Sequence, residues 1–530
     1  MSGYYVENFG CRATQADGAA LERQFEERGL VRASTPAQAS VVVMNTCTVT
    51  ATADQDARAA IRRVRRQNPQ AQIVVTGCYA QRAPEEIAAL PGVTVVIGNS
   101  HKHQLAEIVT TQGRTSDLRP QPSDPAFFPL AMLSTISANS DQQPGTEPSR
   151  RSPGSEVRSP RSEVRTFVSD IFAHTELLAA PVFDAANERT RPNLKVQDGC
   201  DNRCSFCVIP FVRGQSRSLS IDRIVTEVNG LVDSGYREVV ISGINLGRWG
   251  RDLDVRPQTA DLRSTRTPEV RGPKSAVASE KPTLPSLIRA ILSETALEKL
   301  RISSVEPMDW TDDLISLVAS SPRIAKHAHV PMQSASDAVL RRMHRKYRPW
   351  HYREKIEKIR AAMPTAAIGA DVMVGFPGET DAEFEATRRM IQDLPFTYLH
   401  VFTYSARPGT PAATMPNQVP VHLARERNRI LRELAAQKKL AFMRSFVGQQ
   451  IEAITLRQSP CGAGAPAREA DETESANLET AVAFFTEALT DNYLKLHLRG
   501  RHAPNRWLRA RIEDVKDGTL LGFSSDPSQP

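Results

Sequence analysis

Short β-branched runs and helical stretches take turns along most of this chain, and that alternation leaves it few ways to fold. Within residues 1–105, YYVENFG near the start, VVVMNTC (41–47), QIVVTGCY (72–79) and VTVVIGN (93–99) read as strands. Residues 17–28 and 52–67 carry helical periodicity between them. Strand–helix–strand order calls for a parallel sheet covered by helices. The pattern resumes on a larger scale from 193 to about 415, with NLKVQDG and the runs 238–245, 300–307, 327–333, 366–378 and 397–405 as successive strands. About six β–α units fit most economically into a partly closed barrel. A basic helical segment, 421–446, leads out of it, and the alternating runs 487–498 and 506–515 predict a small C-terminal β-barrel.

At 530 residues the chain exceeds a single core, which rarely grows beyond roughly 250–300 residues. Its 40% apolar and 24% charged content suits globular domains. No apolar run reaches the roughly 18 residues of a membrane span, and MSGYYVENFGC lacks the order of a signal peptide. A cytoplasmic protein with no membrane partner is expected. The net charge of +7 is compatible with a nucleic-acid partner without proving one. Two Ser-, Pro- and charge-rich stretches interrupt the pattern. Residues 110–190, where SEVR occurs twice, read as a flexible linker, and 251–283 as an insertion. The expected domains are therefore 1–109, 191–445 and 446–525, the last with a further insertion at about 459–483.

Seven cysteines carry the chemistry. In DGCDNRCSFCVIPFVRG, Cys200, Cys204 and Cys207 are spaced C-x3-C-x2-C. Three thiolates on one loop can ligate three irons of a [4Fe–4S] cube and leave its fourth iron open to a small molecule. A zinc knuckle would require a fourth Cys or His nearby, and no His lies between 175 and 326. Cys11, Cys47 and Cys78 each follow a β-like run, on the sheet edge where open α/β folds bind ligands. Their alternative reading is as ordinary buried cysteines. Cys461, in PCGAGAPAR, is given no role.

CDNRCSFC, with its aromatic before the third cysteine, resembles the signature of radical S-adenosylmethionine enzymes. The resemblance implies that the open iron binds S-adenosylmethionine, whose reductive cleavage gives a 5′-deoxyadenosyl radical. NFGCRATQAD, MNTCTVTATAD and VTGCYAQ are similar to the N-terminal domain of the methylthiotransferases, in which three dispersed cysteines hold an auxiliary [4Fe–4S] cluster. Carried over, those ligands are Cys11, Cys47 and Cys78. Further motifs agree in order, among them VVISGINLGRWG, RISSVEP, HVPMQSASD and GADVMVGFPGET. By this resemblance Ser242, Gly243 and Asn245 line the methionine end of the cofactor, Ser304 and Glu306 approach its ribose, and the backbone at Phe206 meets its adenine. QSASD departs from the family's QSGSD at Ala335.

The implied fold is α/β: a Rossmann- or flavodoxin-like N-terminal domain, a partial (β/α)6 radical-SAM barrel and a TRAM-like C-terminal barrel. In that last barrel Tyr493, Lys495, Arg499, Arg501, Arg506 and Arg509, with Trp507 and Arg511, are candidates for RNA contacts. NTCTVT is similar to the branch acting on N6-threonylcarbamoyladenosine at position 37 of tRNA. Two [4Fe–4S] clusters, two S-adenosylmethionine molecules per turnover, the tRNA anticodon stem-loop, a donor such as flavodoxin or ferredoxin, and a monomer are what the resemblance implies. The isopentenyladenosine and ribosomal-protein branches are the alternatives within the family. A non-enzymatic iron–sulfur RNA sensor is the alternative outside it.

Overall fold

Six strands of the N-terminal region lie side by side, all parallel, in the order β2-β1-β3-β4-β5-β6. They are β1 (Gly3–Asn8), β2 (Val31–Arg32), β3 (Val41–Thr46), β4 (Gln72–Gly77), β5 (Val93–Ile97) and β6 (Arg165–Phe167). Successive residues of β3 and β4 face opposite sides. Val42, Met44, Ile73 and Val75 enter one apolar cluster with the helix Ala51–Gln67, while Val41, Val43 and Val74 enter a second with the helix Arg12–Glu26. A sheet covered on both faces is the arrangement that such uninterrupted β-branched runs require. β6 corrects the sequence reading, because Arg165–Phe167 fell within the expected 110–190 linker. It pairs in register with Val95–Ile97, so that part of the segment is folded.

The computed structural model describes residues 3–111, 164–174, 177, 191–253, 281–456 and 485–525. Cys461 and most of the expected linker and insertions lie outside these residues. The chain divides into two units. The first is Met1–Leu178 with Asn202–Gly214 and Ser405–Met415; the second is Ala179–Asp201, Gln215–Tyr404 and Pro416–Pro530. Among the described residues no helix is long and apolar enough to cross a membrane.

In the second unit, β7 (Asn193–Asp198), β8 (Arg217–Ser218), β9 (Glu238–Gly243) and β10 (Lys299–Ile302) form one sheet in the order β10-β9-β7-β8. β11 (His327–His329), β12 (Ala367–Val374) and β13 (Tyr398–Thr403) form a second. Parallel bridges Leu300↔Ile324 and Ser304↔His329 join the two. Six parallel strands thus follow one another as β7-β9-β10-β11-β12-β13, the expected partial barrel. β11 ends earlier than the run 327–333 suggested, just before Pro331, which has no N–H for a ladder.

A closed barrel ends the chain: β14 (Gln450–Thr455), β15 (Phe485–Thr490), β16 (Lys495–Arg499), β17 (Trp507–Lys516) and β18 (Thr519–Ser524), ordered β14-β15-β16-β18-β17. The run 487–498, read as one strand, is two. It breaks at Asp491–Leu494, where Tyr493 takes φ 72°. Inward residues such as Ile451, Ala453, Leu496, Leu498, Leu508, Ala510 and Ile512 pack on Met443 and Phe446 at the end of the helix Val421–Arg444 and beyond it.

Candidate functional site

Three neighbouring strands of the first sheet each deliver a cysteine at their C-terminal ends. Cys11 follows β1 and caps the helix Arg12–Glu26; Cys47 directly follows β3; Cys78 opens the short helix Cys78–Arg82 after β4. Two glycines permit this crowding. A Cβ on Gly10 (φ 95°) would lie 2.7 Å from Cys47 Sγ, and one on Gly77 (φ 100°) would lie 2.2 Å from the Thr46 carbonyl oxygen. Gly77→Ala combines a left-handed backbone with a backbone clash and is expected to cost at least about 1–3 kcal/mol. Urea unfolding of that variant checks the value.

Cys47 and Cys78 are buried, Cys11 is exposed, and none is in a disulfide. Burial, then the neighbouring Cys78 and Cys11, push the Cys47 thiol up to about 11. The Asn99 amide reaches Cys78 Sγ at 3.6 Å and donates to the Val212 carbonyl at 2.7 Å.

Two buried ionic networks brace this edge, and sequence reasoning found neither. Asp17 Oδ2 accepts from Lys102 Nζ and from Arg213 Nη2, both at 3.0 Å. Lys102 also donates to Asn45, whose amide donates to Asn8 and to the Thr14 carbonyl, fixing the loop that carries Cys11. Burial pushes the Lys102 pKa down, while Asp17 opposes it. Next to Cys47, Thr48 donates to Asp54 at 2.6 Å. Arg82, one turn past Cys78, donates to both Thr48 (2.9 Å) and Asp54 (3.0 Å). Arg407 does the same at 2.7 and 2.5 Å. Asp54 therefore ties the loop after β3 to the helix after β4.

The second unit builds the other candidate site around the end of β7. Gln197 is its hub. Its amide donates to the Asp198 and Gly199 carbonyls and to Ser216, all at 2.9 Å, and its oxygen accepts from the Asn245 N–H at 2.7 Å. The start of the cysteine loop is thereby fixed to the end of β9. Gly243 is obligatory there, since a Cβ would meet Gln197 Oε1 at 2.8 Å. Asn245 Nδ2 lies 3.6 Å from Cys200 Sγ. Cys204 and Cys207, in the other unit, are brought together by a turn in which the Cys207 N–H donates to the Cys204 carbonyl at 3.1 Å.

Ser242 and Asn245 are each 4% exposed, yet among the described residues Ser242 Oγ and Asn245 Oδ1 find no hydrogen-bond partner. Buried polar atoms are rarely left so, and such a pair suits a polar ligand. Of the ribose candidates, Ser304 bridges to His329, and the Glu306 carboxylate accepts from Arg345 at 2.5 Å. Phe206 lies within the Cys204–Cys207 turn.

In the C-terminal barrel the two aromatic candidates turn towards the rest of the second unit. Arg191 and Arg301 lie over the Tyr493 ring at 5.6 and 5.1 Å, and His327 packs against it at 5.2 Å. Lys299 lies 4.9 Å from the centre of Trp507. These are contacts of anchors. Lys495, Arg499, Arg501, Arg506, Arg509 and Arg511 are all exposed.

Residues 3–98 match the family model described as uncharacterized protein family UPF0004, and residues 194–391 match the radical SAM superfamily. The chain is 34% identical over 500 residues to the threonylcarbamoyladenosine tRNA methylthiotransferase MtaB of Bacillus subtilis, covering 94% of this chain and 91% of that one. It belongs to the radical S-adenosylmethionine methylthiotransferases. The tRNA-2-methylthio-N(6)-dimethylallyladenosine synthase of Novosphingobium aromaticivorans is 32% identical to this methylthiotransferase over 460 residues, 86% of this chain and 87% of the other. The radical S-adenosylmethionine methyltransferase TsrM of Kitasatospora setae aligns with a TM-score of 0.49 at 16% identity, over 78% of this chain and 77% of that one.

Membership in the radical SAM superfamily brings a [4Fe–4S] cluster and S-adenosylmethionine with it. Thiols at Cys200 in the second unit and at Cys204 and Cys207 in the first are candidate ligands for the cluster, and the buried Ser242 and Asn245 oxygens are candidate partners of the cofactor. Among the described residues, no group of three or more His, Cys, Asp or Glu stands in metal-binding arrangement, and that holds for both cysteine sets.

Proposed function

We propose that this methylthiotransferase adds a methylthio group to C2 of N6-threonylcarbamoyladenosine at position 37 of tRNA. The observation that carries the reading is likeness over 94% of the chain to an enzyme named for that nucleoside. NTCTVT at 45–50 supports it. Held by Cys200, Cys204 and Cys207, a [4Fe–4S] cluster with S-adenosylmethionine supplies the radical that removes hydrogen from an unactivated adenine carbon. Cys11, Cys47 and Cys78 would hold a second cluster, which would supply the site for the sulfur. S-adenosylmethionine is used twice, once for the methyl group and once for the radical.

The chain's own residues supply position. Gln197 fixes the start of the cysteine loop against β9, so that Ser242 Oγ and Asn245 Oδ1 receive the amino-acid end of the cofactor. Asp17 and Asp54, each held by two cations, fix the loops that carry the auxiliary cysteines. The exposed Arg and Lys residues of the C-terminal barrel hold the RNA through its phosphates. A flavodoxin or ferredoxin supplies the electrons.

The test is mass spectrometry of nucleosides from tRNA of a deletion strain. The expected result is loss of the 2-methylthio group from threonylcarbamoyladenosine alone. The similarity to synthases named for the dimethylallyl nucleoside favours a second reading, in which the isopentenyl nucleoside loses the group instead. An unchanged threonylcarbamoyl nucleoside sinks the first reading.

A further inference from the structure

The two aromatic residues that the sequence suggested for base stacking are occupied within the second unit, but strand register places two others on the barrel's outer surface. β15 pairs with β16 so that Phe485 stands opposite Arg499. β17 pairs with β18 so that Arg511 stands opposite Phe523, and with β14 so that Arg511 stands opposite Gln450. β16 and β18 run in register to Leu498↔Gly522, and their next residues are Arg499 and Phe523. One row therefore crosses all five strands as Phe485, Arg499, Phe523, Arg511, Gln450. Every member is exposed, with Phe485 and Phe523 at 39% and 38%. Leu498, Ala510 and Gly522, the inward neighbours, fill the buried side.

What distinguishes the row is that Phe523 stands exposed between the guanidinium groups of Arg499 and Arg511. The row contains no carboxylate. Glu513 pairs with Arg499 at 3.0 Å from beside the row, and Phe485 leans on His497 at 6.1 Å. Aromatic faces alternating with cations suit a polyanion that carries flat bases. Spacing selects its form. Neighbouring strands are about 4.8 Å apart, so two rings separated by one intervening strand lie about 10 Å apart. Bases of a duplex follow one another about every 3.4 Å. Only an unpaired strand with splayed bases can use both rings.

We propose that this row, centred on Phe523 between Arg499 and Arg511, is a stacking platform for unpaired nucleotides of the substrate RNA's anticodon loop. It rests on the tRNA reading above and gives that reading a surface. Bases stack on Phe523 and Phe485, the phosphate between them meets Arg499, and the phosphate on the far side of Phe523 meets Arg511.

The test measures binding of the full chain, reconstituted anaerobically, to a labelled anticodon stem-loop RNA and to a blunt RNA duplex over a range of salt. Phe523→Ser is expected to weaken stem-loop binding about 5- to 150-fold with the salt dependence unchanged, and to leave duplex binding alone. Phe523→Trp keeps the affinity, which separates stacking from a folding defect. Arg511→Gln weakens both RNAs and lowers the salt slope by about 1. Wild-type stem-loop affinity in a Phe485→Ser/Phe523→Ser chain overturns the platform while leaving the tRNA reading intact. So does an equal loss for stem-loop and duplex. A wild-type chain that does not bind the stem-loop at all overturns both.

Discussion

Replacing Cys200, Cys204 and Cys207 together by alanine is expected to remove about four irons per chain and to abolish formation of 5′-deoxyadenosine from S-adenosylmethionine. The parallel variant at Cys11, Cys47 and Cys78 is expected to lose a separate set of about four irons while still forming 5′-deoxyadenosine, with no methylthio product. The asymmetry follows from placement. Cys200 lies beside Asn245 at the end of β9, where the unpaired Ser242 and Asn245 oxygens sit. The other three cysteines stand at the ends of β1, β3 and β4 of a different sheet. Iron and sulfide analysis after anaerobic purification, with chromatographic detection of 5′-deoxyadenosine, reads both results. Iron retained in either triple variant means that other residues ligate that cluster, and loss of all iron from both means that the two sites do not assemble independently.

The position of each cysteine was legible because it depends on local sequence. A β-branched run ending in a small or turn-forming residue marks a strand's C-terminal edge, and Cys11, Cys47 and Cys78 each sit one step beyond such a run. Gly10 and Gly77 sit immediately before Cys11 and Cys78, and their need for φ above +90° explains them only once the neighbouring loop is in place. The braces were not legible. Lys102 is 85 residues from Asp17 and Arg213 is 196 away, while Arg407 is 353 residues from Asp54. No local period encodes such a pairing. Tyr493 misled for a related reason. Its alternation looked like a strand, but a left-handed turn reverses the chain there and sends the ring against Arg301 and His327. The row of Phe485 and Phe523 needs the register of four strand pairs, which composition does not reveal.

Asp54→Ala is expected to be among the most damaging single changes outside the cysteines. Asp54 is 6% exposed and Arg407 3%, and Asp54 faces Arg82 and Arg407 together. Removing the carboxylate takes the buried Arg407 guanidinium's ion-pair partner away beside Thr48 and leaves Arg82 only the more distant Glu86, at 3.8 Å. Breaking a buried ion pair from one side costs about 3–5 kcal/mol, because the remaining charge stays desolvated. Repulsion between the two arginines adds to that cost. The damage is directional as well as large, since Thr48 adjoins Cys47 and Arg82 sits one turn beyond Cys78. Urea unfolding should show the loss of stability, and iron analysis should show the auxiliary set depleted while 5′-deoxyadenosine still forms. The double variant Asp54→Ala/Arg407→Leu removes the stranded charge and should recover part of the stability without restoring the second cluster. If Asp54→Ala unfolds like the wild type and keeps its full iron, the network is incidental and Cys47 and Cys78 are positioned by the strands alone.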